Sequence, residues 1–162
     1  MAITLQPTGD DDEAFLRSLY ASTRQDEVAA WGWPPAQVEA FLQMQFLAQR
    51  TGYAAAYPGA RHELILEDGH PIGRLYVWRK GDELRLVDIS LLPGARGRGI
   101  GTALMRRLMA EAAAHGERLC LQVATTNRAR QLYLRLGLRR TGGDAVYDEM
   151  EWFAIPPPSN NG

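Results

Sequence analysis

The chain has 162 residues, 46% hydrophobic and 23% charged, with a net charge of −1. This is ordinary globular usage on the scale of one domain; it excludes a disordered or collagenous chain and any general attraction to nucleic acid or anionic membrane. The single cysteine, Cys120, excludes an intrachain disulfide framework and a cysteine-built zinc cluster. No apolar run approaches the roughly 18 residues of a membrane span, and Met1–Gln6 lacks the basic start and apolar core of a signal peptide, so a cytoplasmic protein is expected.

Residues 2–6 alternate weakly and predict a short first strand. Asp10, Asp11 and Asp12 offer a cap and first-turn acids for a helix over 11–22, in which Phe15, Leu16, Leu19 and Tyr20 recur at helical spacing. Trp31-Gly32-Trp33-Pro34-Pro35 breaks the pattern. A second helix is predicted from Pro35 to Gln49, with Val38, Phe41, Leu42 and Phe46 on one face. Residues 51–60 read as irregular. Strands follow at 62–67, 72–79 and 83–92, joined by Asp68-Gly69 and by Lys80-Gly81-Asp82.

A helix is predicted over 100–115, stopped by Gly116. Leu119–Ala124 is the next strand. Thr125-Thr126-Asn127 then caps a helix with Ala129, Leu132, Tyr133 and Leu136 on one face, and Gly137 stops it. Strands at 138–141 and 145–153 flank a turn at Gly142-Gly143-Asp144. Residues 1–155 read as one domain, and 156–162 as a flexible Pro/Asn tail. Antiparallel strands followed by βα units predict an α/β (α+β mixed) fold: a mixed, mostly antiparallel sheet flanked by helices on both faces.

The densest signal lies where the 83–92 strand meets the 100–115 helix. Leu92-Pro93 ends the strand, and Gly94 through Gly101 is rich in glycine and arginine. Exposed amides and the helix dipole bind anions at such a junction. Gly97, Gly99 and Gly101 remove side chains and tolerate positive φ, while Arg96 and Arg98 add planar donors. The reading is a pyrophosphate cradle; the bland alternative is a surface turn with two solvated arginines. The glycine spacing does not fit the dinucleotide fingerprint, and the P-loop's Gly-Lys-Ser/Thr is absent.

Arg-x-x-Gly-x-Gly, at Arg96, Gly99 and Gly101, resembles the acetyl-CoA signature of the GNAT superfamily of N-acetyltransferases. The stretch Asn127 to Leu138, with its Asn, Ala, Leu-Tyr and Gly, resembles that family's second signature. The resemblance covers roughly residues 3–153 and is nearest to poorly described bacterial members. It implies acetyl-CoA as cofactor and an acetyl group passed to a primary amine of a small molecule or peptide by direct attack in a ternary complex. It further implies that Ile89, Ser90 and Leu91 pair with the pantetheine arm and that Arg96, Gly97, Arg98, Gly99, Ile100, Gly101 and Thr102 hold the pyrophosphate. Asn127 and Arg130 would contact the cofactor, and Tyr133 would protonate the departing thiolate. Each also has a plainer reading: Tyr133 as core, Asn127 as a cap, Arg130 as a surface arginine.

Some family members carry a glutamate base on the strand after the cradle helix; the matching residue here is Gln122. This keeps open a non-catalytic acyl-CoA sensor. Asp88, on the face of Ser90, is the nearest carboxylate in the preceding strand and the candidate base, or else a structural aspartate. His62, His70 and His115 read as solvated. Ser90 and Cys120 have no partnered histidine in a recognisable motif, and no metal site is expected. The acceptor site is expected from the N-terminal helices and the final hairpin. Trp31, Trp33, Gln45, Tyr53, Tyr57 and Tyr147 are candidate linings, and Asp26 and Glu27 candidate attractors of a cationic amine. A homodimer is left open.

Overall fold

A computed structural model describes residues 2–154, so the tail predicted at 156–162 lies outside the described residues. The strands are β1 (Ile3–Pro7), β2 (Arg61–Glu67), β3 (His70–Lys80), β4 (Glu83–Leu91), β5 (Arg118–Ala124), β6 (Arg139–Gly143) and β7 (Tyr147–Trp152). The helices are α1 (Glu13–Thr23), α2 (Gln25–Ala29), α3 (Pro35–Ala56), α4 (Ile100–His115) and α5 (Ala129–Leu136). The strands form one sheet in the order β1-β2-β3-β4-β5-β7-β6. The fold is thus the predicted mixed, mostly antiparallel sheet flanked by helices. The chain divides into two compact units, one built from residues up to Tyr76 with Asp88–Arg98, the other from Val77–Val87 and the residues from Gly99 on.

In the first unit β1 pairs antiparallel with β2, from Ile3↔Glu67 to Pro7↔Glu63. Leu64, Ile65, Leu66 and Leu75 are buried, together with Leu19 of α1, Val28 of α2 and Phe46 of α3. Burial of such apolar side chains is the main favourable term in folding. Strand ends shift by a residue or two, with Gly142 and Gly143 inside β6 rather than in the turn, and two larger differences stand out in the helices. α3 runs to Ala56 rather than Gln49, so part of the stretch read as irregular is helical. Gly52 is a weak breaker, and tertiary packing overrides it: Phe46, Gln49 and Tyr53 share one helical face, with Phe46 buried and Tyr53 half-buried. The short α2 follows Arg24, which caps α1, and has too few residues to show a period.

The tightest main-chain approach in this unit is at Gly73. A Cβ there would lie 2.2 Å from the Ser90 carbonyl oxygen, and only glycine admits such proximity. The amide of Leu92 bonds the Ile72 carbonyl at 2.8 Å beside it. The far end of β4 is therefore pinned to β3.

In the second unit β4 runs parallel to β5, from Glu83↔Arg118 to Leu86↔Leu121. α4 makes the connection that a parallel pair requires. Its Leu104, Met105, Leu108 and Ala112 are buried at helical spacing. β5 pairs antiparallel with β7, and β7 with β6, where the register shifts between Arg140 and Gly142. Gly116 and Gly137 end α4 and α5 in the left-handed conformation, as their positions predict.

Candidate active site

The cradle stretch keeps its predicted form. A short 3-10 turn at Pro93–Ala95 precedes it, and α4 begins at Ile100. Gly97 and Gly99 take positive φ of 71° and 81°, conformations most residues avoid. Gly99 is the N-cap of α4, and no side chain caps that end. Gly101 departs from expectation, since its φ is not among the positive ones. Backbone strain therefore does not explain a glycine at 101. A Cβ at 97, 99 or 101 would meet no atom within 4 Å, so the glycines face open space beside uncapped amides. That arrangement fits a bound pyrophosphate.

The two arginines of the stretch are engaged. Arg96 Nε donates to the Leu91 carbonyl at 2.9 Å. Arg98 forks onto Glu67, Nη1 to Oε1 at 3.1 Å and Nη2 to Oε2 at 2.6 Å. That pairing raises the guanidinium pKa, first through the hydrogen bond to Glu67. Arg98 is exposed, so the pair adds little stability.

In the loop before α5, Asn127 Oδ1 accepts from the Ala129 amide at 2.9 Å, one residue ahead of Arg128, the N-cap of the helix. Its Nδ2 is not spent on that bond. Tyr133 is 6% exposed on the buried face of α5. Arg130 Nε donates to Asp148 Oδ2, and Arg140 Nε donates to Oδ1 of the same buried carboxylate. These two bonds, Arg130's first, hold Asp148 below the usual carboxylate range. Gln122 is exposed on β5 opposite Glu149 of β7. Glu149 is clamped by Arg85, which also binds Glu83. Burial works against the Arg85 charge, but these carboxylates outweigh it and raise its pKa. Burial pushes the Cys120 thiol up to about 12, which keeps it unreactive.

Asp88 sits in a side-chain cluster of the first unit. Its Oδ2 accepts from Arg74 Nε at 2.6 Å and from Ser90 Oγ at 2.9 Å. Arg74 is 8% exposed, and its Nη2 donates to Gln49 Oε1 at 2.9 Å. The guanidinium lies 5.7 Å from the Tyr53 ring centre and 5.9 Å from that of Tyr76. His62 stacks against Tyr76 with ring centres 4.7 Å apart. It corrects the expectation of a solvated histidine: its Nε2 is buried without a hydrogen-bond partner. Burial, then the Arg74 charge, lowers its pKa to about 4.

Within the first unit the other expected acceptor residues fall in separate groups, with Tyr53 and Tyr57 6.0 Å apart. Trp31 and Trp33 pack on each other at 4.9 Å and on Phe41. Trp33 lines a groove of about 910 Å³ between α1, α2 and α3. Glu27 is bound by Arg24 at 2.7 and 3.2 Å, and its pKa is lowered first by that bond. Gln45 is half-buried on α3, and Tyr147 is exposed in the second unit. Tyr53 alone of the expected linings borders a cavity of about 260 Å³ that Gln49, His62, Arg74 and Tyr76 also line. Arg74 escapes a reading of the sequence because it stands in a run with the look of a strand interior, Gly73-Arg74-Leu75. An arginine in a buried strand is the one signal such a run offers.

A model of the acetyltransferase (GNAT) family matches residues 14–138. Among solved structures, the PaiA N-acetyltransferase from Thermoplasma acidophilum in complex with coenzyme A is 16% identical, with 94% of this chain and 99% of that one covered at a TM-score of 0.69. The ribosomal-protein-S18-alanine N-acetyltransferase from Escherichia coli is 19% identical, with 98% of each chain covered at 0.64. Mutant forms of the spermidine/spermine N-acetyltransferase SpeG from Vibrio cholerae are 15% identical, with 94% and 95% covered at 0.61. Identities this low speak for a shared fold.

Proposed function

This chain belongs to the acetyltransferase (GNAT) family, and from that premise we propose that it transfers the acetyl group of acetyl-CoA to a primary amine of a small molecule or peptide by direct attack in a ternary complex. N-acetyl transfer is the activity of the family, and acetyl-CoA its donor. The observation that carries the reading is the cradle, with its two left-handed glycines, a third glycine facing open space, and the uncapped start of α4.

Arg96 through Thr102 would hold the pyrophosphate on amides and guanidinium groups. Ile89, Ser90 and Leu91 lie past Leu86↔Leu121, the last rung joining β4 to β5. Their main-chain groups would pair with the pantetheine arm as a strand does. Asn127 Nδ2 and Arg130 would meet the cofactor from the other signature. Bound acetyl-CoA supplies a thioester whose acetyl carbon an amine attacks. The chain's own part is to position and to move protons. Amides near Leu91 would polarise the carbonyl, and Tyr133 Oη would give its proton to the departing sulfur. Asp88 Oδ1, which has no partner among the described residues, would hold the incoming ammonium or take its proton through water. The setting we assign is a bacterial cytoplasm with no nucleic-acid or membrane partner. The described residues contain no helix long and apolar enough to cross a membrane.

Calorimetry with acetyl-CoA, followed by a thiol-release assay over diverse amines, tests this reading. Saturable binding and sustained turnover are expected. A folded sample that binds no acetyl-CoA overturns it, and binding without turnover on any amine supports a sensor instead. Tyr133→Phe is expected to lower kcat about ten- to a hundredfold with acetyl-CoA affinity retained.

A further inference from the structure

The cavity of about 260 Å³ in the first unit is lined by polar side chains with unspent hydrogen-bonding groups, alongside the carboxylates of Asp10 and Glu13. Arg74 spends Nε on Asp88 and Nη2 on Gln49, and its Nη1 donates to no described residue. Gln49 accepts through Oε1, so its Nε2 is unspent. Tyr53 and Tyr76 make ring contacts, but their hydroxyls bond no described residue. Burial, then the Asp88 charge, pushes the Tyr53 phenol up to about 12, so it stays a protonated donor. His62 Nε2 is buried with no partner. Of these groups it is the one that is fully buried without a partner, a costly state that proteins keep seldom.

The walls are selective. A guanidinium that is 8% exposed, beside two phenols and a primary amide, favours an acceptor-rich anion next to it. Arg74's charge is already shared with Asp88, and one of its terminal nitrogens is unspent. That suits a monoanionic carboxylate better than a phosphate dianion. Of the two carboxylates that line the cavity, Asp10 and Glu13, Glu13 is bound to Arg50 at 2.9 Å. The cavity floor is tied to β4 through the 2.6 Å bond from Arg74 to Asp88. Asp88, bonded to Arg74 through Oδ2, keeps Oδ1 unpartnered among the described residues as an acceptor next to that guanidinium.

We propose that this cavity is the acceptor subsite and that the acceptor is a free amino acid, its carboxylate held by Arg74, Tyr53 and Tyr76. The proposal rests on the acetyltransferase reading above. In the reaction the amine nitrogen bonds the acetyl carbon as the carbon–sulfur bond breaks. Of the two protons the ammonium sheds, one ends on sulfur and the other in solvent.

The test uses the full chain and matched sets of ligands: free L-amino acids, their amides and the corresponding decarboxylated amines. In the thiol-release assay, the preferred free acid is expected to exceed its amide and its decarboxylated amine by about tenfold or more in kcat/KM. Arg74→Lys is expected to abolish that preference, and Tyr53→Phe to shrink it with acetyl-CoA affinity intact, which keeps the test open should Arg74→Lys fail to fold. Titrating the free acid into cofactor-free protein should move the His62 ring signals in NMR spectra, and this supports the subsite whether or not turnover follows. Equal or better turnover of the amide or the decarboxylated amine overturns the proposal. So does the absence of any His62 shift with every amino acid at millimolar concentration. Acetyl-CoA binding measured separately by calorimetry shows whether the acetyltransferase reading has failed with it.

Discussion

Between Arg96 and Thr102 the chain offers main-chain amides among glycines, whereas around Arg74 it offers side chains drawn from α3, β2, β3 and β4. The first region is contiguous in sequence and exposed, and its charged residues rest on solvent-facing partners. The second is assembled from distant positions, is largely buried, and is linked by hydrogen bonds to the packing of its unit. A site of the first kind can lose function while the fold stands. A site of the second kind loses both together, because each of its polar groups was desolvated on folding and depends on its neighbours.

The sharpest way to break this contrast is Arg74→Met. It leaves Asp88 and Gln49 without their donor in a half-buried place, and a cost of about 2–3 kcal/mol is expected in urea unfolding. A cost below about 0.5 kcal/mol, the level of an exposed pair, would erase the distinction. Gly99→Asp probes the opposite region. It puts a side chain and a negative charge where φ is 81°. Acetyl-CoA affinity should fall about a hundredfold by calorimetry, while stability drops by only about 1 kcal/mol.

His62 sharpens the contrast through pH. Its pKa is about 4 in the fold against an ordinary 6.5, set by burial and the Arg74 charge against the opposing Asp88 and Asp12. Below pH 6.5 the unfolded chain takes up a proton that folded His62 refuses, so stability falls as pH drops from 6.5 towards 4. His62→Gln should flatten that limb, read by urea unfolding at about pH 4.5 and about pH 7. The smallest effect is expected from Arg98→Met, which should leave urea unfolding nearly unchanged because its partnership with Glu67 is exposed. The variant separates the regions only if its acetyl-CoA affinity drops as well.

The same contrast explains what is legible in the sequence. Gly97, Gly99, the α4 pattern of Leu104, Leu108 and Ala112, and the stops at Gly116 and Gly137 are local statements. Each can be read where it stands, and the structure repeats them. The family signatures at 96–101 and 127–138 belong to this class. The cavity has no such grammar. Gln49 stands at the expected end of a helix that in fact continues, His62 reads as a solvated strand start, and Arg74 is one cation inside a strand. Only pairing and packing bring them to Tyr53, and no spacing in the chain encodes those meetings. Gly73 is illegible for a related reason: its absent side chain matters because of the carbonyl of Ser90, far along the chain.

Glu67 sets the terms on which an anion can enter the cradle. By forking onto Arg98 at 3.1 and 2.6 Å, it gives the loop a built-in counter-ion. A phosphate arriving at Arg98 would compete with a carboxylate already in place, whereas Arg96 holds only the neutral Leu91 carbonyl. On the proposed cofactor reading, coenzyme association at Arg98 would be an exchange of one anion for another. Its dependence on ionic strength should be shallower than the loop's arginines alone would give.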